Sequence, residues 1–397
     1  MKIGNVFLIS CLAALSFSPA YFDLHASQLP TDSSQKSKPA TIRILLAKKT
    51  PKALLEVKGR YQIYDPDNGL LIASGILSKR SYLAPHEDGL KWGEIFPSIH
   101  RVRIVPGDSQ TTILVNGIEY KGCLEVYSSD GTLNLINEID VDHYLKSTLN
   151  QQFPNNRSGE VMDAIAIVAR TNAYYLVGRN PHGLWHVEAQ EIGYMGHGIT
   201  LQNISVDRAV ENTSQTVLTY KERPFAATWT EDSAGKTADF SAIFRKNALS
   251  PKGVNVPLAA RDREKHKWTF SMAKRQLAKM AQLDNITNID LYLDKSSNKT
   301  YAIKVINEDE SQSIDFLSLQ EKLGTKNLVS SDFTVSLRGD TVVFEGFGAG
   351  PGVGLCLYSA EIMAKHGMHV PQILASFFPN TQLENMRTPL KNVENNR

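Results

Sequence analysis

The chain has 397 residues, 42% of them apolar, enough for one large domain or two ordinary ones with a buried core, which excludes an intrinsically disordered protein. Its 43 basic side chains are nearly matched by 41 acidic ones. The resulting net charge of +2 gives no general attraction to nucleic acid or to an anionic membrane.

Lys2 precedes an uncharged apolar run, Val6 to Leu15, and small residues follow at Ser18-Pro19-Ala20 and Ala26-Ser27. The run is far shorter than the roughly 20 residues that span a bilayer, so residues 1–26 read as a secretory leader cut after Ala20 or Ala26. Lipidation at Cys11, within Leu8-Ile9-Ser10-Cys11, is the alternative. No later segment is apolar for long enough to cross a membrane, so a soluble, exported chain of the periplasm or cell envelope is expected. Residues 27–40, rich in Ser, Lys and Pro, read as a flexible tether.

From Thr41 to about Leu135 short runs (TIRILL, LLEV, YQIYD, LLIASGIL, RVRIV, TTILV, CLEVY, TLNLI) alternate with turn residues, predicting a mostly antiparallel sheet region. Asp142-His143-Tyr144-Leu145 and Gln151-Gln152-Phe153-Pro154 read as the junction before a helix. Val161, Ala164, Ile165, Val168, Ala169, Asn172, Tyr175 and Leu176 recur at helical spacing, and Ala166 and Ile167 make that helix apolar nearly all round, hence central and buried. Arg170 falls roughly opposite Val161, where a charge must find a partner or face a cleft.

Strands and turns return from about Val217 to Ser241. MAKRQLAKMAQ, within Trp268 to Gln282, predicts a helix, and residues 284–300 read as a loop insertion. Phe333 to Gly346 predicts a hairpin turning at Gly339-Asp340, so Arg338-Gly339-Asp340 is a turn and not an adhesion tripeptide. A helix from Tyr358 to Gly367, another starting near Pro371 and a frayed polar tail after Asn380 complete the chain.

Three groups of residues invite a chemical reading. Cys123 and Cys356 either pair after export or serve as small apolar side chains. His182, His186 and His197 share one loop-rich stretch, but no carboxylate or cysteine spacing supports a metal site, and none is expected. Gly346 to Gly354 places glycine at every second position, which suits close approach to a backbone or a ligand and fits neither a dinucleotide nor a phosphate loop, so no cofactor is expected.

Taken in order, segments from about 115 to 385 resemble the SpoIID/LytB family of bacterial wall proteins. Gly122-Cys-Leu-Glu-Val126 resembles the family's "G-x-L-E-V", and Asp142-His-Tyr-Leu-Lys146 its "E-x-Y-L-k". Ala164-Ile-Ala-Ile-Val-Ala-Arg-Thr171 is similar to "A-Q-A-V-A-A-R-T", and Gln190 through Tyr194 and Gly196 to "Q-x-Y-x-G". Thr213 to Leu218, Ser233 to Thr237, Leu328 to Phe333 and Phe344 to Ala360 match its later motifs.

The resemblance implies an α+β fold with a central buried helix and a glycan-binding cleft between two lobes. It also implies binding to peptidoglycan glycan strands in cell-wall remodelling, either beside a wall amidase or division complex or as a lytic transglycosylase of peptide-free strands. Such cleavage needs one acid to protonate the glycosidic oxygen. The family's glutamate falls on Gln152, whose amide has no titratable proton. Polar family positions likewise become Ile165, Thr230, Pro351 and Leu357. Non-catalytic strand binding is therefore the expected function, and cleavage by a replacement carboxylate, Glu160, Glu231 or Asp232, is the alternative. The resemblance further implies substrate contacts from Arg170, Thr171, Ser233, Thr237, Gly348, Gly350 and Gly352.

Overall fold

The computed structural model describes residues 40–155, 157–196 and 203–386. Cys11, nearly all of the tether, His197 and residues 387–397 lie outside them. The architecture is α+β with mostly antiparallel sheets, as the sequence predicts.

Alternation of apolar and polar residues builds the first half of the chain. In Thr41–Thr50, Ile42 and Ile44 are fully buried, and the strand pairs antiparallel with Thr132–Asp140. These two lie in a seven-stranded sheet ordered Val187–Glu188, Thr41–Thr50, Thr132–Asp140, Cys123–Ser129, Arg101–Pro106, Tyr61–Tyr64, Leu71–Gly75. A six-stranded sheet contains Ala53–Lys58 at its centre, between Lys79–His86 and Thr112–Val115. Every strand read from the sequence in this region is present.

Helix α2 (Gly159–Arg179) buries Val161, Met162 and every residue from Ala164 to Val168. It joins both sheets in one core with the helices Leu357–Lys365 and Val370–Phe377. A second core lies under two three-stranded antiparallel sheets, Lys267–Ala273 with Thr341–Phe347 and Phe333–Arg338, and Asn288–Leu293 with Thr300–Ile306 and Ser311–Asp315.

Four expectations change. Helix α1 (Val141–Gln152) forms where only a junction was expected, because Asp140 caps it by accepting the Asp142 and His143 N–H groups. Trp268, Phe270 and Met272 alternate with exposed residues, so their stretch is strand and the predicted helix starts only at Lys274. Residues 284–300 hold the strand Asn288–Leu293, whose Ile289 and Leu291 pack on the second core. The expected frayed tail instead pairs, Thr381–Asn385 against Thr216–Tyr220, with Thr219 Oγ1 donating to Glu384 at 2.9 Å.

Cys123 and Cys356 are both free, Cys356 fully buried, so the pairing alternative is not realised. Among the described residues no group of three or more His, Cys, Asp or Glu side chains is placed to hold a metal ion, and no helix is long and apolar enough to cross a membrane.

His186 has a structural task. Its Nδ1 accepts the Arg43 N–H at 3.0 Å. Burial, aided by the Arg43 charge, pushes its pKa from 6.5 down to about 4. The fold thus favours the neutral ring. As pH falls from 6.5 toward 4, the unfolded chain takes up a proton that the folded chain refuses, and stability is lost in that window. The melting temperature should fall over that range, and His186→Gln should remove part of the slope. A variant profile that tracks the wild type throughout would contradict this.

Candidate functional site

Polar and aromatic groups come together in a groove built on α1. Residues at helical spacing (Tyr144, Leu145, Thr148, Leu149 and Gln152) put one face of α1 along it. Ala169 and Asn172 of α2 form its floor, and Ala227, Thr228, Trp229, Phe244 and Pro351 its far wall. The groove has a volume of about 330 Å³, at the lower end of the ~300–1,000 Å³ typical of ligand clefts. The Trp229 ring leans on Phe153, centroids 5.7 Å apart. Burial pushes the Tyr144 phenol up to about 12, so it stays a neutral hydroxyl.

Gln152 is the last residue of α1, since the extended Phe153 and then Pro154 stop the helix. Its exposed carboxamide also lines an adjoining depression of about 410 Å³ with Asn155, Arg157, Ser158, Glu361 and Lys365. One side chain is thus shared by both spaces.

The other expected residues fall elsewhere. Glu160 is tied to the start of a helix, accepting the Val370 N–H at 2.7 Å and contacting His369 Nδ1 at 3.1 Å. Glu231 pairs with Arg157 at 2.6 Å, at the edge of the depression. Arg170 is 1% exposed and spends its donors on Asp142, Thr213, Thr216 and Val210. Thr171 donates to Ile167 O and accepts the Leu218 N–H. Thr237 accepts the Val254 N–H at 2.8 Å. Arg170, Thr171 and Thr237 are thus buried side chains held in interior hydrogen bonds, and none of them lines the groove or the depression.

Ser233 is fully buried and Asp232 nearly so, over a buried ion cluster. Asp232 meets His266 Nδ1 at 2.5 Å. Lys299 Nζ donates to Ser233 O and Asp332, each at 2.6 Å, and Arg263 binds Asp332 through two nitrogens at 2.8 Å. Burial pushes the Asp332 carboxyl up, but these cations outweigh it and hold the group below the usual carboxylate range. The cluster clamps the Ser233 to Thr237 turn through the Ser233 and Ala234 carbonyls.

The glycine run is packing as well. A Cβ on Gly348 would lie 2.6 Å from Asp232 O, one on Gly350 2.7 Å from Thr230 Oγ1, and one on Gly352 2.9 Å from Lys299 Cε. Thr230 locks the run, donating to Ala349 O at 2.8 Å and accepting the Gly352 N–H at 3.0 Å. These close approaches let the run lie against its neighbours, and Pro351 within it lines the groove.

The family model for stage II sporulation protein SpoIID matches residues 129–220, a stretch that contains α1, α2, Gln152 and Arg170. Stage II sporulation protein D of Bacillus subtilis is 26% identical over 267 residues, covering 62% of this chain and 75% of that protein. The chain belongs to the SpoIID family. Uncharacterized proteins of Chlamydia pneumoniae and Chlamydia muridarum are each 36% identical over 45% of this SpoIID-family chain. The matched part spans 65% and 62% of those two relatives' lengths.

In this SpoIID-family protein two of the altered family positions, Ile165 and Leu357, are buried apolar side chains. Thr230 is buried too, and only Gln152 and Pro351 of the altered set line the groove. Sequence reasoning missed Asn172 and Trp229 as lining residues of the groove, and Glu361 as the carboxylate beside Gln152. The α1 residues were findable, because positions 144, 145, 148, 149 and 152 follow helical spacing. Glu361 was not, since it lies over 200 positions away and meets the loop through the Ser158 N–H at 3.3 Å. Asp163, raised to about 6 by burial and then by Glu160, lines neither space.

One packing prediction follows from Gly354, at φ +77°, where a Cβ would lie 2.1 Å from Thr228 O. Gly354→Ala should cost about 3 kcal/mol or more, through both the clash and the left-handed backbone. Urea unfolding should report it as a lower midpoint at unchanged slope, and an undiminished midpoint would disprove the close approach.

Proposed function

We propose that this SpoIID-family protein has a cell-wall role, binding peptidoglycan glycan strands in the α1 groove and presenting them to a separate wall hydrolase such as an amidase. The observation that carries this reading is the exposed carboxamide of Gln152, shared by groove and depression, where the family resemblance expects a glutamate. A carboxamide can donate to and accept from sugar hydroxyls but cannot deliver a proton to a glycosidic oxygen. Trp229 offers an aromatic face and Asn172, Thr148 and Tyr144 offer polar groups, the mixture an amphipathic sugar ring uses. Export through the leader would bring the chain to its substrate.

Glu361 supports a second reading, in which the protein is a lytic transglycosylase with a replacement acid, because it is the carboxylate that lines the same depression as Gln152. One experiment separates the two. Purified protein is sedimented with peptide-free glycan strands, and the supernatant is searched by mass spectrometry for anhydro-ended fragments. Co-sedimentation without fragments is the expected result. Fragments that disappear in Glu361→Gln would replace the first reading by the second, and no co-sedimentation would end both.

A further inference from the structure

Beyond the groove wall Phe240, Phe244 and Tyr301 rest half-buried against the second core and form a second aromatic cluster. The wall residue Phe244 stacks on Phe240 at 4.4 Å and ends the helix Phe240–Phe244. The next residue, Arg245, is exposed, takes the left-handed conformation at φ +54°, and carries its guanidinium over the Tyr301 ring, 4.8 Å from the centroid. Among the described residues Arg245 makes no ion pair and no hydrogen bond, so its N–H donors are unspent.

Tyr301 owes its place to a β-bulge. Tyr292 pairs with Ala302 and Leu293 with Thr300, which leaves Tyr301 as the extra residue. Bulges re-aim side chains and recur beside functional sites. Here the bulge sets Tyr301 parallel to Tyr292, centroids 5.9 Å apart and planes 12° from each other. Ile289 and Leu291 of the Tyr292 strand face the second core, and alternation turns Tyr292 the other way, half-buried. Neither phenol hydroxyl has a hydrogen-bond partner among the described residues.

We infer that Arg245, Tyr301 and Tyr292 form a second sugar-binding platform that continues the α1 groove along a glycan strand. Parallel aromatic rings offer flat faces to the C–H side of a pyranose, and the guanidinium and phenol groups offer donors and acceptors to its hydroxyls. A binding surface for a polymer gains from being longer than one ring, and Phe244 links the two surfaces through adjacent residues. The inference rests on the groove being a glycan site, and the test separates the two.

Calorimetry with peptide-free glycan oligomers of two, four and eight sugars would compare wild type with Arg245→Gly, Tyr292→Ala and Tyr292→Phe. Arg245→Gly suits a left-handed position, so it should keep the melting temperature while removing the guanidinium. Wild-type affinity should rise with oligomer length. Arg245→Gly and Tyr292→Ala should weaken the longest oligomer roughly five- to tenfold and leave the disaccharide unchanged, while Tyr292→Phe keeps most of the gain. If long oligomers bind the folded variants as they bind wild type, the platform is wrong and the groove stands. If wild type binds no oligomer of any length, the groove reading falls and the platform with it.

Discussion

Gln152→Glu should give the protein a glycan-cleaving activity that the wild type lacks or shows only weakly, read as anhydro-ended fragments from peptide-free strands. The substitution replaces an amide by a proton-donating carboxyl of nearly the same shape at an exposed position, so the fold has no reason to change. In the expected reaction the new carboxyl protonates the glycosidic oxygen as the bond to the anomeric carbon breaks. The resulting carboxylate then takes the proton of a hydroxyl on the same sugar as that oxygen closes on the anomeric carbon. Positioned proton transfer contributes about 10²–10⁴-fold, and the low end, ~100-fold over wild type, is expected here. Ile165 and Leu357 are buried apolar side chains where the family carries polar ones, so support for the developing charge is reduced. The rate should also climb as pH falls toward the ordinary glutamate range, because only the protonated acid can donate. An intact variant that binds strands yet releases no fragment at any pH would mean that residue 152 does not adjoin the scissile bond.

The α+β class, the eight early strands, α2 and the last hairpin were legible because each carries its own period in a continuous run. Helix α1 was not, because its polar opening Asp142-His143 hides the apolar face that begins at Tyr144. The strand Asn288–Leu293 was hidden for a related reason: its two inward-pointing residues, Ile289 and Leu291, stand in a polar neighbourhood. For the site, sequence motifs located Gln152 and the segments around it. They could not tell a motif residue that touches ligand from one that holds the scaffold. Arg170, Thr171, Ser233 and Thr237 all resemble family residues, yet each is buried at 4% exposure or less. Such residues mark the positions where helix ends, turns and strands are bonded together, and those bonds join distant parts of the chain. The Thr171 hydroxyl, for instance, receives its hydrogen bond from Leu218, and no local pattern announces that pairing.

Arg170→Ala should be among the most destabilising single changes in the molecule. Its Nε and one terminal nitrogen bind Asp142 Oδ1 at 2.9 and 2.8 Å, and the other donors reach the carbonyls of Val210, Thr213 and Thr216. Desolvation lowers the arginine's pKa and the Asp142 charge opposes it, so the buried cation depends on this partner. Breaking a buried pair by removing one member costs about 3–5 kcal/mol, because the remaining polar groups lose their bonds without regaining water. Asp142 would keep Ser214 Oγ at 2.8 Å, but the carbonyls around the end of the helix Ile204–Asn212 would be stranded. Arg170→Lys should rescue little, since one ammonium cannot span the same acceptors. Urea denaturation of wild type, Arg170→Ala, Asp142→Ala and the double variant gives the coupling directly. A loss below about 1 kcal/mol for Arg170→Ala, or additive single effects, would refute a shared network. The same change should weaken glycan binding in protein that remains folded. Asp142 lies in the first turn of α1 and Gln152 ends it, while Asn172 is two residues beyond Arg170 on α2. Releasing the arginine therefore frees the two walls of the groove to shift against each other.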